Sequence, residues 1–146
     1  MVENFNGIIY LIVFIVHFLI YAVYAYRTVF DTKNFLDKYG MDHTAAIMTR
    51  FLGSFFIGST LIAIYILFRG TEGTWPFFNL IFLQNLTALI INFYSIKINK
   101  LGVDDKTSTD SLFHFQTSSI GEITIPGILT ILNVILCYGL SDKIYI

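Results

Sequence analysis

The sequence has little charge and a single cysteine, and each shortage excludes a class of protein. Only 13% of its residues are charged, against roughly 25% in ordinary soluble domains. The formal net charge of −1 offers no basic surface for nucleic acid. The one cysteine, Cys137, excludes an internal disulfide bond and a metal site built from several thiolates.

The short motifs of common enzyme chemistries are also missing. The chain has no P-loop, no GxSxG, HExxH or CxxC motif, and no glycine-rich dinucleotide fingerprint after a strand. His43, His114 and several aspartates lie in the connections between apolar runs, but their spacing matches no metal-ligand motif. The sequence therefore predicts a protein that is not an enzyme and holds no metal.

The chain is instead rich in apolar residues, which make up 55% of its 146 residues and give a mean hydropathy of +0.70. Its four apolar runs approach or exceed the roughly 18 to 20 residues that span a bilayer core. They cover residues 7–26, 51–68, 75–96 and 120–140. Because lipid satisfies no backbone polar group, each run is predicted to be a helix. We predict an all-α integral membrane protein, a single domain over residues 1–146 with a bundle of four transmembrane helices at about 7–28, 44–69, 75–98 and 118–140.

The positive charges of the connections predict an orientation. Seven Lys and Arg residues lie in or beside the two longer connections, and two lie on the opposite side. The seven are Arg27, Lys33, Lys38, Arg50, Lys97, Lys100 and Lys106, and the two are Arg69 and Lys143. Because positive charge concentrates on the cytoplasmic side, both termini are predicted to lie outside.

The first connection is predicted to contain a short helix lying on the cytoplasmic surface. Asp31 is placed to cap it, Gly40 to end it, and its apolar residues fall on one face. Asp42 or Thr44 is then placed to cap the second membrane helix.

Polar residues inside the apolar runs are the candidates for function. His17, Tyr21 and Tyr24 share one face of the first helix, at spacings of four and seven residues. Such a face should point into the bundle. One interpretation makes His17 a structural hydrogen-bonding group. The other makes it a haem ligand, a proton relay or a quinone contact.

Amide side chains add further polar groups to the third and fourth helices. Asn85 and Asn92 lie seven residues apart on the third helix, and Asn133 lies on the fourth. Amides in hydrocarbon join helices by hydrogen bonds, and the alternative is that they line a ligand site.

Two charged residues mark helix beginnings. Glu122 begins the fourth apolar helix and Arg50 begins the second, and the predicted topology puts both near the cytoplasmic interface. We predict that they approach each other as an ion pair. The alternative is that Glu122 is the titrating group of a carrier.

Small residues on the second helix are spaced for close helix packing. Ser54 and Gly58 form one small-xxx-small pair, and Ser59 and Ala63 form another. This pattern favours a tight bundle or an oligomer.

The stretch from residue 30 to residue 58 resembles small uncharacterised four-helix membrane proteins of marine and other bacteria. The matching residues are Phe30, Asp31, Phe35, Tyr39, Gly40, Ala45, Ala46, Arg50, Gly53 and Gly58. The resemblance implies the same four-span layout and residence in a prokaryotic inner membrane. It implies no reaction and no ligand.

These observations support three hypotheses about function. The first is a non-enzymatic accessory or assembly subunit, or a homo-oligomeric scaffold, with the lipid bilayer and other membrane subunits as partners. The second is a small carrier or channel lined by the polar residues of the helices, with Glu122 titrating. The third is a haem- or quinone-binding membrane protein that uses His17.

Overall fold

The described part of the chain is all-helical. A computed structural model describes residues 2–39, 41–94 and 119–146, with side chains in the last segment from residue 123 onward. Its α-helices are α1 (Ile8–Val29), α2 (Thr32–Lys38), α3 (Ala46–Arg69), α4 (Trp75–Phe93), α5 (Ser119–Gly139) and α6 (Ser141–Ile144). Two single turns of 3-10 helix, Glu3–Phe5 and His43–Ala45, precede α1 and α3.

Three of these helical segments are long and apolar enough to cross a membrane. They are Ile8–Val29 with 22 residues, His43–Arg69 with 27 and Trp75–Phe93 with 19. In the region of the fourth predicted span, the apolar helix Ile123–Gly139 is shorter. The predicted end of the third span at residue 98 lies outside the described residues. Apolar helices of membrane-spanning length are therefore confirmed for the first three predicted spans.

Backbone geometry explains where α1 begins and α3 ends. Asn6 and Gly7 have φ of 53° and 119° just before α1, and Gly70 has φ of 107° just after α3. Residues with positive φ cannot continue a right-handed helix, and glycine adopts this conformation at low cost. At Gly70 a side chain would also approach Asn4, since a Cβ there would lie 3.0 Å from Asn4 Nδ2.

A short helix does occupy the first connection, but its predicted cap is wrong. The side chain of Asp31, which directly precedes α2, accepts no hydrogen bond from a backbone N–H of that helix. Its carboxylate instead accepts a hydrogen bond of 2.6 Å from Asn34 Nδ2. The side chain of Asp42 does cap the turn before α3, accepting from the Thr44 N–H at 2.7 Å. Gly40, the predicted end of the short helix, lies outside the described residues.

The helices pack in the order α3, α1, α5, α4. The most extensive packing joins α1 to α3 and α4 to α5, and α1 also packs on α5. Although α3 and α4 are consecutive in sequence, their backbones make at most marginal contact. Aromatic rings of α1 and α4 fill the centre, where the ring centroids of Phe14 and Phe78 lie 6.1 Å apart and those of Phe18 and Phe77 5.4 Å apart.

Two glycines allow α1 to approach its neighbours at opposite ends. A Cβ at Gly53 on α3 would lie 2.5 Å from Thr28 Oγ1 and from Val29 Cγ2. A Cβ at Gly139 on α5 would overlap the ring of Tyr10. These close approaches position the middle of α1 between α3 and α5.

Candidate functional site

Four polar side chains are buried in the middle of the helices, and we call them the polar layer. They come from α1 (His17 and Tyr21), α4 (Asn85) and α5 (Asn133). Their exposed fractions are 0%, 1%, 4% and 0% respectively. Each of these three helices therefore brings at least one polar group into surroundings that are otherwise aromatic and aliphatic.

The His17 ring lies among aromatic side chains. It stacks on the Tyr21 ring with centroids 5.4 Å apart and meets the Phe18 ring at 4.8 Å. Neither ring nitrogen has a hydrogen-bond partner among the described residues. The structure thus places His17 in the interior. The hydrogen bond to a neighbouring helix that a structural role would require is not among the described contacts of His17.

The two amides of the polar layer are held by their oxygen atoms. The Tyr21 hydroxyl donates to Asn85 Oδ1 at 2.8 Å, which joins α1 to α4. The Cys137 thiol donates to Asn133 Oδ1 at 3.2 Å, one turn along α5. The Nδ2 atoms of both amides are buried and have no partner among the described residues. Sequence reasoning did not select Cys137, although its spacing of four residues from Asn133 is the available indication.

Two contacts set the relative height of the polar layer's members along the helices. Tyr10 meets Gly139, and Leu89 meets Gly127, so α5 runs antiparallel to both α1 and α4. His17 lies seven residues after Tyr10, and Asn133 lies six before Gly139. Asn85 lies four residues before Leu89, while Asn133 lies six after Gly127. At about 1.5 Å per residue, His17, Asn85 and Asn133 therefore lie within about one helical turn of each other.

The polar layer has more unpaired hydrogen-bond donors than unpaired acceptors. Each amide has two N–H groups to offer, and a neutral imidazole has one N–H and one acceptor nitrogen. The amide oxygens are already used by Tyr21 and Cys137. Leaving a buried polar group without a partner costs about 1–3 kcal/mol. The layer therefore suits a molecule that brings oxygen acceptors into the apolar interior.

The other predicted polar residues lie away from this layer. Tyr24 is half-buried one turn beyond Tyr21, with its ring centroid 5.8 Å from that of Phe56 on α3. Asn92 is half-buried near the end of α4, seven residues beyond Asn85. The predicted polar face of α1 and the pair of amides on α4 therefore each extend beyond the polar layer.

The Arg50 side chain has a described partner that the sequence did not predict. Arg50 Nε donates to Thr32 Oγ1 at 3.1 Å, and the Thr32 hydroxyl donates to the Thr28 carbonyl at 2.8 Å. This chain of hydrogen bonds links α3, α2 and α1. Glu122 belongs to α5, but its side chain lies outside the described ones, so the ion pair with Arg50 stays a prediction.

The small residues of α3 divide between two environments. Ala63 is 2% exposed and packs in the core. Ser54 is exposed and bonds its own helix, donating to the Phe51 carbonyl at 2.6 Å. Ser59 is half-buried, and a Cβ built at Gly58 would meet nothing within 4 Å. The glycine that sets the α1–α3 approach is Gly53, which the spacing argument did not select.

No protein-family model, curated protein or solved structure matches this chain.

Proposed function

We propose that this chain is an integral membrane protein with four spans, α1, α3, α4 and α5. Both termini lie outside, and α2 lies on the cytoplasmic surface of a prokaryotic inner membrane. The three long apolar helices and the seven-to-two distribution of positive charge support this topology. In a Cys137→Ser background, a membrane-impermeant maleimide should label Glu72→Cys in intact cells and Lys33→Cys only after permeabilisation. The opposite labelling pattern would overturn the orientation.

Within that membrane the protein acts without catalysis, as a subunit or homo-oligomeric scaffold of a membrane complex. The observation that carries this proposal is the outward surface of α3. Only 17% of its apolar window is buried, the same share as in α4 and half of the 33% in α1. Large side chains such as Phe51 and Phe55 point outward, and Gly58 lies open near the middle of the same helix. A glycine notch between large apolar residues suits close contact with another membrane helix.

Native mass spectrometry of the protein extracted gently from its own membranes tests this role. A reproducible mass containing other subunits, or several copies of this chain, is the expected result. Disulfide cross-linking then localises the contact. In the Cys137→Ser background, Gly58→Cys should cross-link between chains in the membrane. Leu80→Cys, which is exposed on α4, serves as the control for random collision. A protein that is always monomeric and cross-links equally at both positions would contradict the proposal.

The donor surplus of the polar layer favours a second candidate function, the binding of a small ligand inside the membrane. The carrier and cofactor hypotheses both need such a site. Haem held between helices usually takes two axial ligands, and the layer contains one imidazole, that of His17. The unpartnered amide N–H groups of Asn85 and Asn133 are hydrogen-bond donors, so the carbonyl oxygens of a quinone suit the layer better.

Thermal unfolding in detergent with an added short-chain benzoquinone tests this candidate. Binding should raise the unfolding temperature of the natural protein. The rise should disappear in the Asn85→Leu, Asn133→Leu double variant and persist in Asn79→Leu, which changes an amide near the beginning of α4. A natural protein that shows no rise at a saturating concentration would rule out quinone binding. An absorption band of haem in the purified protein would redirect the proposal to haem.

A further inference from the structure

Three distant segments of the chain meet at the end of the molecule that carries both termini. The Thr71 hydroxyl, in the connection between α3 and α4, donates to the Asn4 carbonyl at 2.6 Å. The Gly73 N–H donates to the Lys143 carbonyl at 3.4 Å. Asn6 donates through its side chain to the Gly139 carbonyl at 3.0 Å and also contacts Asp142. These bonds tie the first turn, the α3–α4 connection and α6 into one surface.

This surface contains a polar cavity of about 110 Å³, which we call the terminal cavity. Its volume far exceeds the roughly 10–15 Å³ that one water molecule requires. Gly70 opens the cavity, because its φ of 107° turns the chain sharply and its missing side chain leaves room for the amide of Asn4. The lining residues are Asn4, Arg69, Gly70, Thr71, Glu72 and Lys143.

The charges of the lining are not neutralised by one another. Among residues 2–39, 41–94 and 123–146, the one ion pair within 4.0 Å joins His43 to Asp37, far from this cavity along the chain. Arg69 and Lys143 therefore bring two positive charges, and Glu72 one negative charge, with no ion pair among the three. The Arg69 guanidinium lies over the Tyr65 ring, 6.0 Å from its centroid, which orients it at the end of α3.

We propose that the terminal cavity binds a phosphodiester anion, with Arg69 and Lys143 as its charged ligands and the Asn4 amide as a further donor. Arginine offers a planar fork of N–H groups that matches phosphate oxygens, and lysine offers a compact positive charge. The formal charges of the lining sum to +1, two cations less one anion. That sum balances a singly charged phosphodiester better than a phosphate monoester, which carries about −1.5 to −2.

Phospholipid headgroups supply this chemistry at the membrane surface, and free inorganic phosphate supplies related chemistry from solution. The lipid source rests on the proposed topology, which puts the terminal cavity at the outer interface. The anion chemistry rests on the cavity alone. The two sources are separated by offering each probe to the full-length protein by itself.

The experiment measures binding to the purified full chain in an uncharged detergent by the rise in unfolding temperature. The probes are a short-chain phosphatidylglycerol, inorganic phosphate and an uncharged short-chain diacylglycerol. We expect the phosphatidylglycerol to bind saturably and the diacylglycerol not to bind. Arg69→Gln and Lys143→Gln should each weaken binding by about tenfold, since a hydrogen bond to a charged group is lost. Arg27→Gln and Lys38→Gln remove the same charges elsewhere and should leave binding unchanged.

Glu72→Gln is expected to strengthen binding, whereas Arg69→Gln and Lys143→Gln weaken it. It raises the formal charge of the lining to +2, two cations with no anion, and should tighten phosphatidylglycerol binding and improve binding of inorganic phosphate. Saturable binding of phosphatidylglycerol alone identifies the lipid headgroup as the ligand. Tighter binding of inorganic phosphate than of phosphatidylglycerol would overturn the phosphodiester assignment and make the free ion the ligand. Absence of both, or equal losses in the Arg27 and Arg69 variants, overturns the site.

Discussion

Helices α1 and α3 are both long and apolar, yet they occupy different positions in the molecule. The share of the apolar window that is buried is 33% in α1 and 17% in α3. The two helices also differ in the partners of the polar side chains along their apolar stretches. On α3, the hydroxyls of Thr49, Ser54 and Thr60 donate to carbonyls three or four residues earlier in the chain. On α1, Tyr21 bonds α4 instead.

A helix whose polar groups bond its own backbone can face lipid without penalty, because nothing polar is left unpaired. A polar group that bonds another helix must lie on a face turned to the interior, although the rest of its helix can stay exposed. In α4, Asn85 is 4% exposed while only 17% of the apolar window is buried. Hydropathy alone does not separate these two cases. Substitutions at the contact between α1 and α3, and in the polar side chains of the two helices, test this contrast.

The largest effect is expected where α1 and α3 touch. Gly53→Val inserts a side chain against Thr28 and Val29, where even a Cβ lies 2.5 Å from both. Overpacking of this kind costs typically about 1–3 kcal/mol. Gly58→Val is the matched control in the detergent-solubilised monomer, since a Cβ there meets nothing within 4 Å in the same chain. Both substitutions make the same change in helix propensity.

Unfolding of the two variants by titration with a denaturing detergent measures the difference. Gly53→Val should unfold at clearly lower denaturant than the natural protein. Gly58→Val should stay within about 0.5 kcal/mol of it, as exposed substitutions usually do. Equal destabilisation by both would show that α3 is packed on its outer side as well.

The interhelical bond of α1 should be worth more than a bond within α3. Tyr21→Phe removes the donor to Asn85 and leaves that amide without any described partner. Interhelical side-chain bonds in membranes are worth about 0.6–2 kcal/mol, and that is the expected loss. Adding Asn85→Leu to Tyr21→Phe should recover part of the lost stability, because the buried amide without a partner is removed.

Thr60→Val on α3 is the control for loss of a hydroxyl that bonds its own helix. Its effect on the free energy of unfolding should be smaller than that of Tyr21→Phe. A double variant that is less stable than Tyr21→Phe alone would indicate that Asn85 makes a stabilising contact through its Nδ2 atom.

The sequence predicted the apolar helices and the polar side chains among them, but not which of these meet. Periodicity defines a face within one helix, whereas the rotation of one helix against another depends on packing that involves several chain segments. Gly53 and Gly58 illustrate this limit. Five residues apart, they point about 140° away from each other around α3. The small-xxx-small spacing selected Gly58, and the side chains of Thr28 and Val29 make Gly53 the contact.

The polar layer also shows that the sequence predicts polar positions but not their pairing. His17, Tyr21, Asn85 and Asn133 were all recognisable as polar residues in apolar surroundings. The pairing of Tyr21 with Asn85 and of Cys137 with Asn133 depends on the relative height of antiparallel helices. Between α1 and α5 that height depends on Gly139, whose missing side chain leaves room for Tyr10, and α4 meets α5 where Leu89 lies beside Gly127.

The hydrogen bond of Arg50 is expected to contribute less. Thr32→Val removes its described acceptor on α2, and a neighbouring ion pair with Glu122 is still predicted. Two double-mutant cycles on the free energy of unfolding separate these partners, one combining Arg50→Gln with Thr32→Val and the other with Glu122→Gln. Exposed charged pairs couple by roughly 0.2–1 kcal/mol. Coupling in both cycles supports a three-residue network, and coupling to Thr32 alone would refute the ion pair.

The smallest effect concerns the turn before α3, outside the long apolar helices. Hydrogen bonds from the side chain and backbone N–H of Thr44 hold the pKa of Asp42 below its ordinary value of 3.8. A lowered pKa means that the charged Asp42 stabilises the folded state above pH 3.8, and that this contribution is lost as the pH falls through the lower, folded-state value. Asp42→Asn removes this titration, so its stability should fall less steeply than that of the natural protein in acid. Thermal unfolding followed from neutral pH into this acid range measures the difference, with Glu3→Gln as the control for loss of an exposed carboxylate. If Asp42→Asn and the natural protein lost stability in parallel, the hydrogen bonds of Thr44 would not distinguish the two charge states of Asp42.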